Sequence, residues 1–357
     1  MLVFFILLFV PIVYQHVSIK GHYTDNHKKN IRAITFFFVF LTLLIMLRHE
    51  SIGNDTRNYI MFFDVFRRMS WDELGRVNME HGFVYFNKLV SIFTNEPQIF
   101  LAVPTVAVSA MIYPTYKRLC VDSSLTIVTY VTLSTFVMMF SGIRQMIAIA
   151  IGFIAYEFTR KKKLIPFIIC VIAAISFHTS AFMLAFMYPL YYAKITKKWL
   201  WAVIPSMTVV FVFNKPIFTF LGLFVEEYTE YDASITQTGA YTMLFLFLLF
   251  TVFTYIIPDE SKLDGETIGL RNFLLISVVI QMFAPIHTLA MRMNYYYIIF
   301  IPLLLPKIIE ARSERWKQVA ITARHVMVVF FFIYFFYNAS GDGGLNVFPY
   351  HFFWETV

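Results

Sequence analysis

The chain has 357 residues, 59% of them apolar and only 14% charged, with a mean hydropathy of +0.67. That composition excludes an ordinary soluble enzyme and indicates a polytopic membrane protein with no soluble segment long enough to be a separate domain. The formal charge of +7 acquires meaning only when its cations are assigned to sides, and the two cysteines, Cys120 at a helix end and Cys170 inside a helix, do not suit a disulfide.

The first stretch, MLVFFILLFVPIVY, lacks a basic leader and a small-residue cleavage site, so it reads as a retained first helix rather than a signal peptide. Apolar runs then mark about twelve spans, at roughly 1–19, 31–47, 99–117, 124–141, 144–159, 164–178, 179–193, 199–214, 240–257, 272–290, 293–309 and 323–338. Cations gather in alternate loops. They are Lys20, Lys28, Lys29 and Arg32, then Lys117 and Arg118, then Arg160 to Lys163, then Lys194, Lys197 and Lys198, then Lys262 and Arg271, then Lys307, Arg312, Arg315, Lys317 and Arg324. Alternating spans place all of these on one side, and the positive-inside rule makes that side cytoplasmic, with both termini outside.

The expectation is therefore an all-α, polytopic integral membrane protein of about 12 transmembrane helices, forming a single transmembrane domain over 1–357. External loops are expected at about 48–98 and 215–239, with an external tail at about 339–357. In the first loop, 58–67 and 83–93 have the pattern of short amphipathic helices lying at the interface. The second carries Glu226, Glu227, Glu230 and Asp232, which read as a solvated acidic face. No convincing internal repeat is present, so the inverted-repeat signature of many transporters is missing.

The stretch 141–188 organises the rest. An apolar run descends from Arg144 to the basic block Arg160 to Lys163, and a second climbs from that block to His178. At the rise of an α-helix each run covers roughly 20–24 Å, so the chain crosses the membrane and returns, leaving Arg144 and His178 at similar depth on one side. Ionisable groups there are costly and default to a functional reading. The other unusual polar groups fall on the same expected side: Asp55, Arg57 and Tyr59 in IGNDTRNY, Glu80 in MEHGF, Gln145 beside Arg144, and His287, Arg292, Asn294 and Tyr295 in PIHTLAMRMNYYY.

Arginines at a membrane surface, with a histidine and acids nearby, suit a phosphate-bearing substrate, because guanidinium grips phosphate oxygens bidentately and keeps its charge. A histidine or carboxylate within reach could take a proton from a sugar hydroxyl. Fixed cations would stabilise the charge that develops on a pyrophosphate leaving group. Each residue also has a plainer reading. Arg144 and Arg292 can snorkel from helix ends. His178, with Thr179 and Ser180 behind it, can be an internally bonded core histidine. Asp55 can be a turn or N-cap residue, and Glu80 a loop charge. No HExxH, DxD, cysteine pair, P-loop or GxGxxG occurs.

The pieces IGNDTRNYIMFF, EHGFVYFNKLV, SGIRQMIAIAIGF, AISFHTSAFMLAFMYPL, MRMNYYYIIFIPLLLP and VFPYHFF resemble the EpsG family, the Wzy-like polymerases of bacterial exopolysaccharide and capsule. The pieces run in the family's order over nearly the whole chain, and the hairpin from RQ to FHTSA is the most specific. This resemblance implies a multi-pass enzyme of the bacterial cytoplasmic membrane. It would transfer a growing glycan from undecaprenyl diphosphate onto a lipid-linked repeat unit at the outer face, without a metal or other cofactor. It further implies that Arg144 and Arg292 grip the donor diphosphate and that His178 activates the acceptor hydroxyl or orients the group that does. Asp55, Arg57, Tyr59 and Glu80 would shape the acceptor site, with Gln145, Asn294 and Tyr295 as further substrate contacts. The partners implied are the undecaprenyl-diphosphate-linked oligosaccharide, membrane lipid, and a flippase and chain-length regulator of a synthesis complex, with no nucleic acid. Three rivals stand beside it, one of them a structural or scaffold membrane protein in which the arginines would be replaceable. A flippase for lipid-linked oligosaccharide predicts charges along a midplane path, and a membrane O-acyltransferase predicts a polar site reaching the cytoplasm.

Overall fold

Apolar runs of this length can hide their backbone polar groups from lipid only by bonding them within helices, and helix is what they form. The computed structural model describes residues 1–17, 23–133, 135–222, 238–339 and 346–356. The acidic cluster from Glu226 to Asp232 lies outside the described residues, as does Lys20. Among the described residues there is no strand, only two isolated bridges, Arg48 with Phe352 and Pro258 with Arg312. By contact the chain divides into two units, residues 1–185 with 321–357, and residues 186–320.

The first unit runs through α1 (Leu2–Val17), α2 (Tyr23–Met46), the short helices α3 (Thr56–Arg68), α4 (Trp71–Leu74) and α5 (His81–Ser91), then α6 (Pro97–Leu119), α7 (Ser123–Thr132), α8 (Thr135–Ser141), α9 (Ile143–Arg160) and α10 (Leu164–Phe177). A 3-10 helix, Thr179–Phe186, follows. Helix α7 is buried at every position. Its sequence SSLTIVTYVT has no charged face to present, so it sits inside the bundle. Its start is fixed by Asp122, which caps Leu125 N at 3.2 Å, accepts from Gln15 of α1 at 3.2 Å and pairs with Arg324 at 2.5 Å. Asn30 of α2 donates to Val121 O at 2.7 Å and accepts from Ser123 N at 3.0 Å. At the other end Phe4 meets the rings of Phe136, Phe140, Phe335, Phe348 and Tyr350 edge-on.

The second unit holds α11 (Met187–Tyr192), α12 (Leu200–Val212), α13 (Asn214–Gly222), α14 (Thr238–Ile256), α15 (Gly265–Gln281), α16 (Thr288–Ile298) and α17 (Ile301–Glu310). α18 (Lys317–Ala339) starts here and continues into the first unit. Asn272 on α15 donates to the carbonyls of Leu190 and Ala193, tying α11 to α15. Arg271 is buried, pairs with Glu260 at 2.8 Å and lies 4.1 Å over the Tyr255 ring.

Among the described residues three stretches are long and apolar enough to cross a membrane alone, His27–Met46, Pro97–Leu119 and Glu314–Ala339. Three further candidates are bent pairs, at α7 with α8 (57°), α12 with α13 (77°) and α16 with α17 (46°). Leu2–Gln15, Leu164–Phe177 and Ala240–Ile256 are shorter apolar helices. The expected runs over 124–141 and 293–309 are thus each broken, and 179–193 is a 3-10 turn followed by a six-residue helix. Pro302 explains one break. It lacks an N–H to continue the helix, and it stands at the first turn of α17.

Candidate functional site

The polar groups of the first unit meet where the turn before α3, the start of α5, the start of α9 and the end of α10 pack together. The turn IGNDT is held against the end of α8. Asn54 N donates to Ser141 Oγ at 3.0 Å, and the hydroxyl of Thr56 donates to Phe140 O at 3.3 Å. Gly53 makes the approach possible. Its φ is +86°, and a Cβ there would fall 2.8 Å from the Phe140 carbonyl carbon. One turn into α3, buried Tyr59 sets its hydroxyl oxygen within hydrogen-bonding reach of both the guanidinium and the backbone N–H of Arg144. That N–H belongs to the first turn of α9 and has no partner within the helix. The Phe83 ring lies edge-on to Tyr59 at 5.6 Å and beneath the Arg144 guanidinium at 5.9 Å.

Glu80 is the centre of this arrangement. It occupies the N-cap of α5 but makes no capping bond with its side chain. Instead its Oε2 takes Arg144 Nη1 at 2.5 Å, while Oε1 accepts from Thr179 N at 3.2 Å and Thr179 Oγ1 at 3.3 Å. Burial works against ionising this carboxyl, but Arg144, the nearby His178 and the backbone N–H groups outweigh it, and its pKa lies below the usual carboxylate range. Gly82 brings α5 close enough, since a Cβ there would stand 2.6 Å from Ser176 O. His178 ends α10 in an extended conformation, and its Nδ1 accepts from Ser180 N at 3.3 Å, with Ser180 Oγ at 2.8 Å. A backbone N–H can only donate, so the neutral ring carries its proton on Nε2.

The structure thus gathers Tyr59, Glu80, Arg144 and His178. Asp55 is the half-buried N-cap residue of α3, one turn from Tyr59; burial raises the Tyr59 pKa, and the Asp55 charge raises it further against the pull of Arg144. Arg57 is exposed and sits 3.5 Å from Glu50. Gln145 is buried in α9. The remaining expected residues belong to the second unit. Arg292 is exposed on α16. Asn294 is fully buried, its Nδ2 donating to Ser277 O at 2.9 Å and Gln281 Oε1 at 3.0 Å, and Tyr295 is buried beside it. His287 caps α16 by accepting from Leu289 N at 3.1 Å and stacks on Phe218 at 5.4 Å.

The stretches that build this cluster are those that carried the sequence resemblance, and a family model, described as the EpsG family, matches residues 31–352. The chain belongs to the EpsG family. No curated protein and no solved structure matches it.

In this EpsG-family protein Ser180 bonds His178, as the plainer sequence reading of that histidine allowed, but the sequence alone does not announce that Thr179 bonds Glu80, nor does it single out Gly82. It also passes over Arg48, just beyond the C-terminal end of α2. The Arg48 guanidinium is entirely buried. Its Nη1 donates to Ile45 O at 2.6 Å, while Nε and Nη2 meet no acceptor among the described residues. Burial lowers its pKa to about 10, against the opposing pull of Tyr350 and Tyr59. The last described segment roofs it. Tyr350 donates to Leu44 O at 2.6 Å, His49 N to His351 O at 2.9 Å, and Phe353 N to Leu47 O at 2.9 Å. The available signal was position, because Arg48, like Arg144, stands at the helix end away from the basic loops. Among the described residues no group of three His, Cys, Asp or Glu could hold a metal ion.

Proposed function

We propose that this protein is a polysaccharide polymerase of the bacterial cytoplasmic membrane. It would move a growing glycan from undecaprenyl diphosphate to the sugar of a second lipid-linked repeat unit at the outer face. The observation that carries the reading is the ion pair of Arg144 with Glu80 beside His178, in a chain of the EpsG family. In the transfer the acceptor hydroxyl oxygen bonds to the anomeric carbon, the bond from that carbon to the diphosphate breaks, and the hydroxyl proton passes to an oxygen of the leaving diphosphate. The electron pair leaves with the diphosphate. Arg144 faces that charge with a guanidinium already oriented by Glu80 and Tyr59, so little reorganisation is needed as the bond breaks. His178, with its proton on Nε2, supplies a further N–H to the same oxygens. Glu80 accepts from both Arg144 and Thr179, and as a stabilised carboxylate it organises the site rather than acting as its base.

The flippase and acyltransferase readings gain no support of this kind, since neither needs a carboxylate-braced arginine beside a histidine. The test is reconstitution into liposomes with lipid-linked repeat units. Arg144→Ala is expected to cut chain lengthening about 100- to 1000-fold while the protein still folds. Lengthening at the wild-type rate in that variant would refute the diphosphate grip.

A further inference from the structure

The loop between α2 and α6 carries a row of rings that the fold holds in place and does not bury. Trp71 of α4 and the α5 residues Tyr85 and His81 are all exposed. The Trp71 and Tyr85 rings lie 6.2 Å apart at 33°, and those of Tyr85 and His81 lie 6.0 Å apart at 25°. Face-to-face contact brings carbon atoms to about 3.5–4.0 Å, so nearly parallel rings at this spacing are offset, and each leaves part of its face open. The indole N–H, the phenol hydroxyl and the imidazole nitrogens bond to no protein group among the described residues. The frame beneath them is fixed. Ser70 and Glu73 cap α4 reciprocally, and Leu74 is completely buried. Lys88 Nζ donates to Arg67 O at 2.9 Å and Met69 O at 2.6 Å, fastening α5 to the end of α3 just before α4 begins. Large rings left open on a fixed frame mark a binding surface.

Position narrows the ligand. His81 directly follows Glu80, the partner of Arg144. Residues four apart share a helix face, so the exposed side that starts with His81 and Tyr85 continues to Leu89, about 12 Å along α5. Beyond the helix it reaches Ile92 and Phe93, and this far end offers carbon alone. The far end suits hydrocarbon. The near end, beside the candidate site, suits a ligand with both carbon and hydroxyl surface.

We propose that Trp71, Tyr85 and His81 form a saccharide subsite, a platform on which sugar rings of the glycan held at the Arg144 site stack. That this glycan is lipid-linked rests on the polymerase reading; that the row binds sugar does not. A pyranose ring turns C–H bonds to one side and hydroxyls to its rim. The C–H hydrogens carry slight positive charge, which the negative face of an aromatic ring attracts. The rim hydroxyls need polar partners, and the three side chains supply them at their ring edges. Arg76 and Asn78, exposed in the turn between α4 and α5, add further donors. Such a surface takes many different sugars, because every pyranose offers C–H bonds to stack.

The test uses the full chain, labelled with fluorotryptophan, in lipid nanodiscs. Fluorine NMR spectra are followed against added tetrasaccharides of glucose, galactose, N-acetylglucosamine and rhamnose. Trp71→Phe identifies the Trp71 signal, and the other tryptophan signals report that each variant is folded. At least one tetrasaccharide is expected to move the Trp71 signal of the otherwise unaltered protein. Tyr85→Ala and His81→Ala are each expected to weaken that binding about fivefold to tenfold. Tyr85→Phe, which keeps the ring, is expected to weaken it less than Tyr85→Ala, and Leu89→Ala, at the far end of the same helix face, to leave it unchanged. The proposal is overturned if no tetrasaccharide moves the Trp71 signal, if Tyr85→Ala binds as tightly as wild type, or if Leu89→Ala loses as much as Tyr85→Ala. It is equally overturned if lipid spin-labelled in its acyl chain broadens the Trp71 signal, which would make the row a membrane anchor. Chain lengthening is read separately. Sugar bound at Trp71 in a protein that lengthens no glycan would sink the polymerase reading and leave the subsite standing; full lengthening with no sugar response at Trp71 would do the reverse.

Discussion

Two sets of polar residues in this protein look equivalent in the sequence and are used differently in the structure. Around Arg144 the bonds join residues far apart in the chain, with Glu80 reaching 64 positions to Arg144 and 99 to Thr179. Around Asn294 they join near neighbours, 17 positions to Ser277 and 13 to Gln281, across one turn between α15 and α16. The first set leaves an arginine partly accessible and aimed by others. The second spends the Asn294 amide N–H groups on holding two helices together. A polar side chain in a membrane protein acquires a chemical role when the fold spends distant contacts on orienting it, and a packing role when its bonds are met next door.

Substitutions put that contrast to the test. After Arg144→Ala, the largest expected effect belongs to Glu80→Gln. Losing the carboxylate leaves the Arg144 charge half-buried without its partner. The expected loss is about 2 kcal/mol of stability, below the 3–5 of a fully buried pair, with lengthening down about 10- to 100-fold. The pH dependence has a definite sign. The folded pKa of Glu80 is depressed, so its contribution is fully present above the ordinary carboxylate pKa and fades as pH falls through the lowered value. Unfolding curves of wild type and Glu80→Gln should therefore converge in acid; a gap that stays constant down to strongly acidic pH would contradict the ion pair.

Arg292→Ala is expected to lower lengthening about tenfold, as an exposed guanidinium that attracts the anionic substrate. An unchanged rate would remove Arg292 from the list of functional residues. Asn294→Ala is expected to destabilise the protein by about 1–3 kcal/mol, because it strands buried acceptors, while each folded molecule lengthens glycan normally. Activity lost in excess of the folded fraction would return Asn294 to the substrate site. The smallest effect is assigned to Arg57→Ala. Its 3.5 Å pair with Glu50 is solvent-exposed on both sides, and neither the melting temperature nor the rate should move measurably.

Much of this was legible in the sequence. The hairpin of α9 and α10, with Arg144 at one end and His178 at the other, follows from apolar run length and the basic block between. Glu80 and Tyr59 could be named as residues near a functional stretch, but their meeting depends on Gly53 and Gly82, whose close approaches to Phe140 and Ser176 no periodicity announces. Broken helices were equally hidden. Hydropathy averages across the bend between α16 and α17 and reports one run where the chain makes two. Arg48 was visible as a cation on the unexpected side, yet only the structure shows it fully buried, with Nε and Nη2 meeting no acceptor among the described residues.

The backbone pairing between 346–353 and 47–53 has a practical side. The segment 346–353 is a structural part, since His351 O, Asn346 O and the Phe353 N–H are bonded to the stretch that carries Arg48. Cutting the chain before Asn346 would open the guanidinium to water. Expression designs for this family member should keep residues 346–353 intact, because they are the cover over a buried cation.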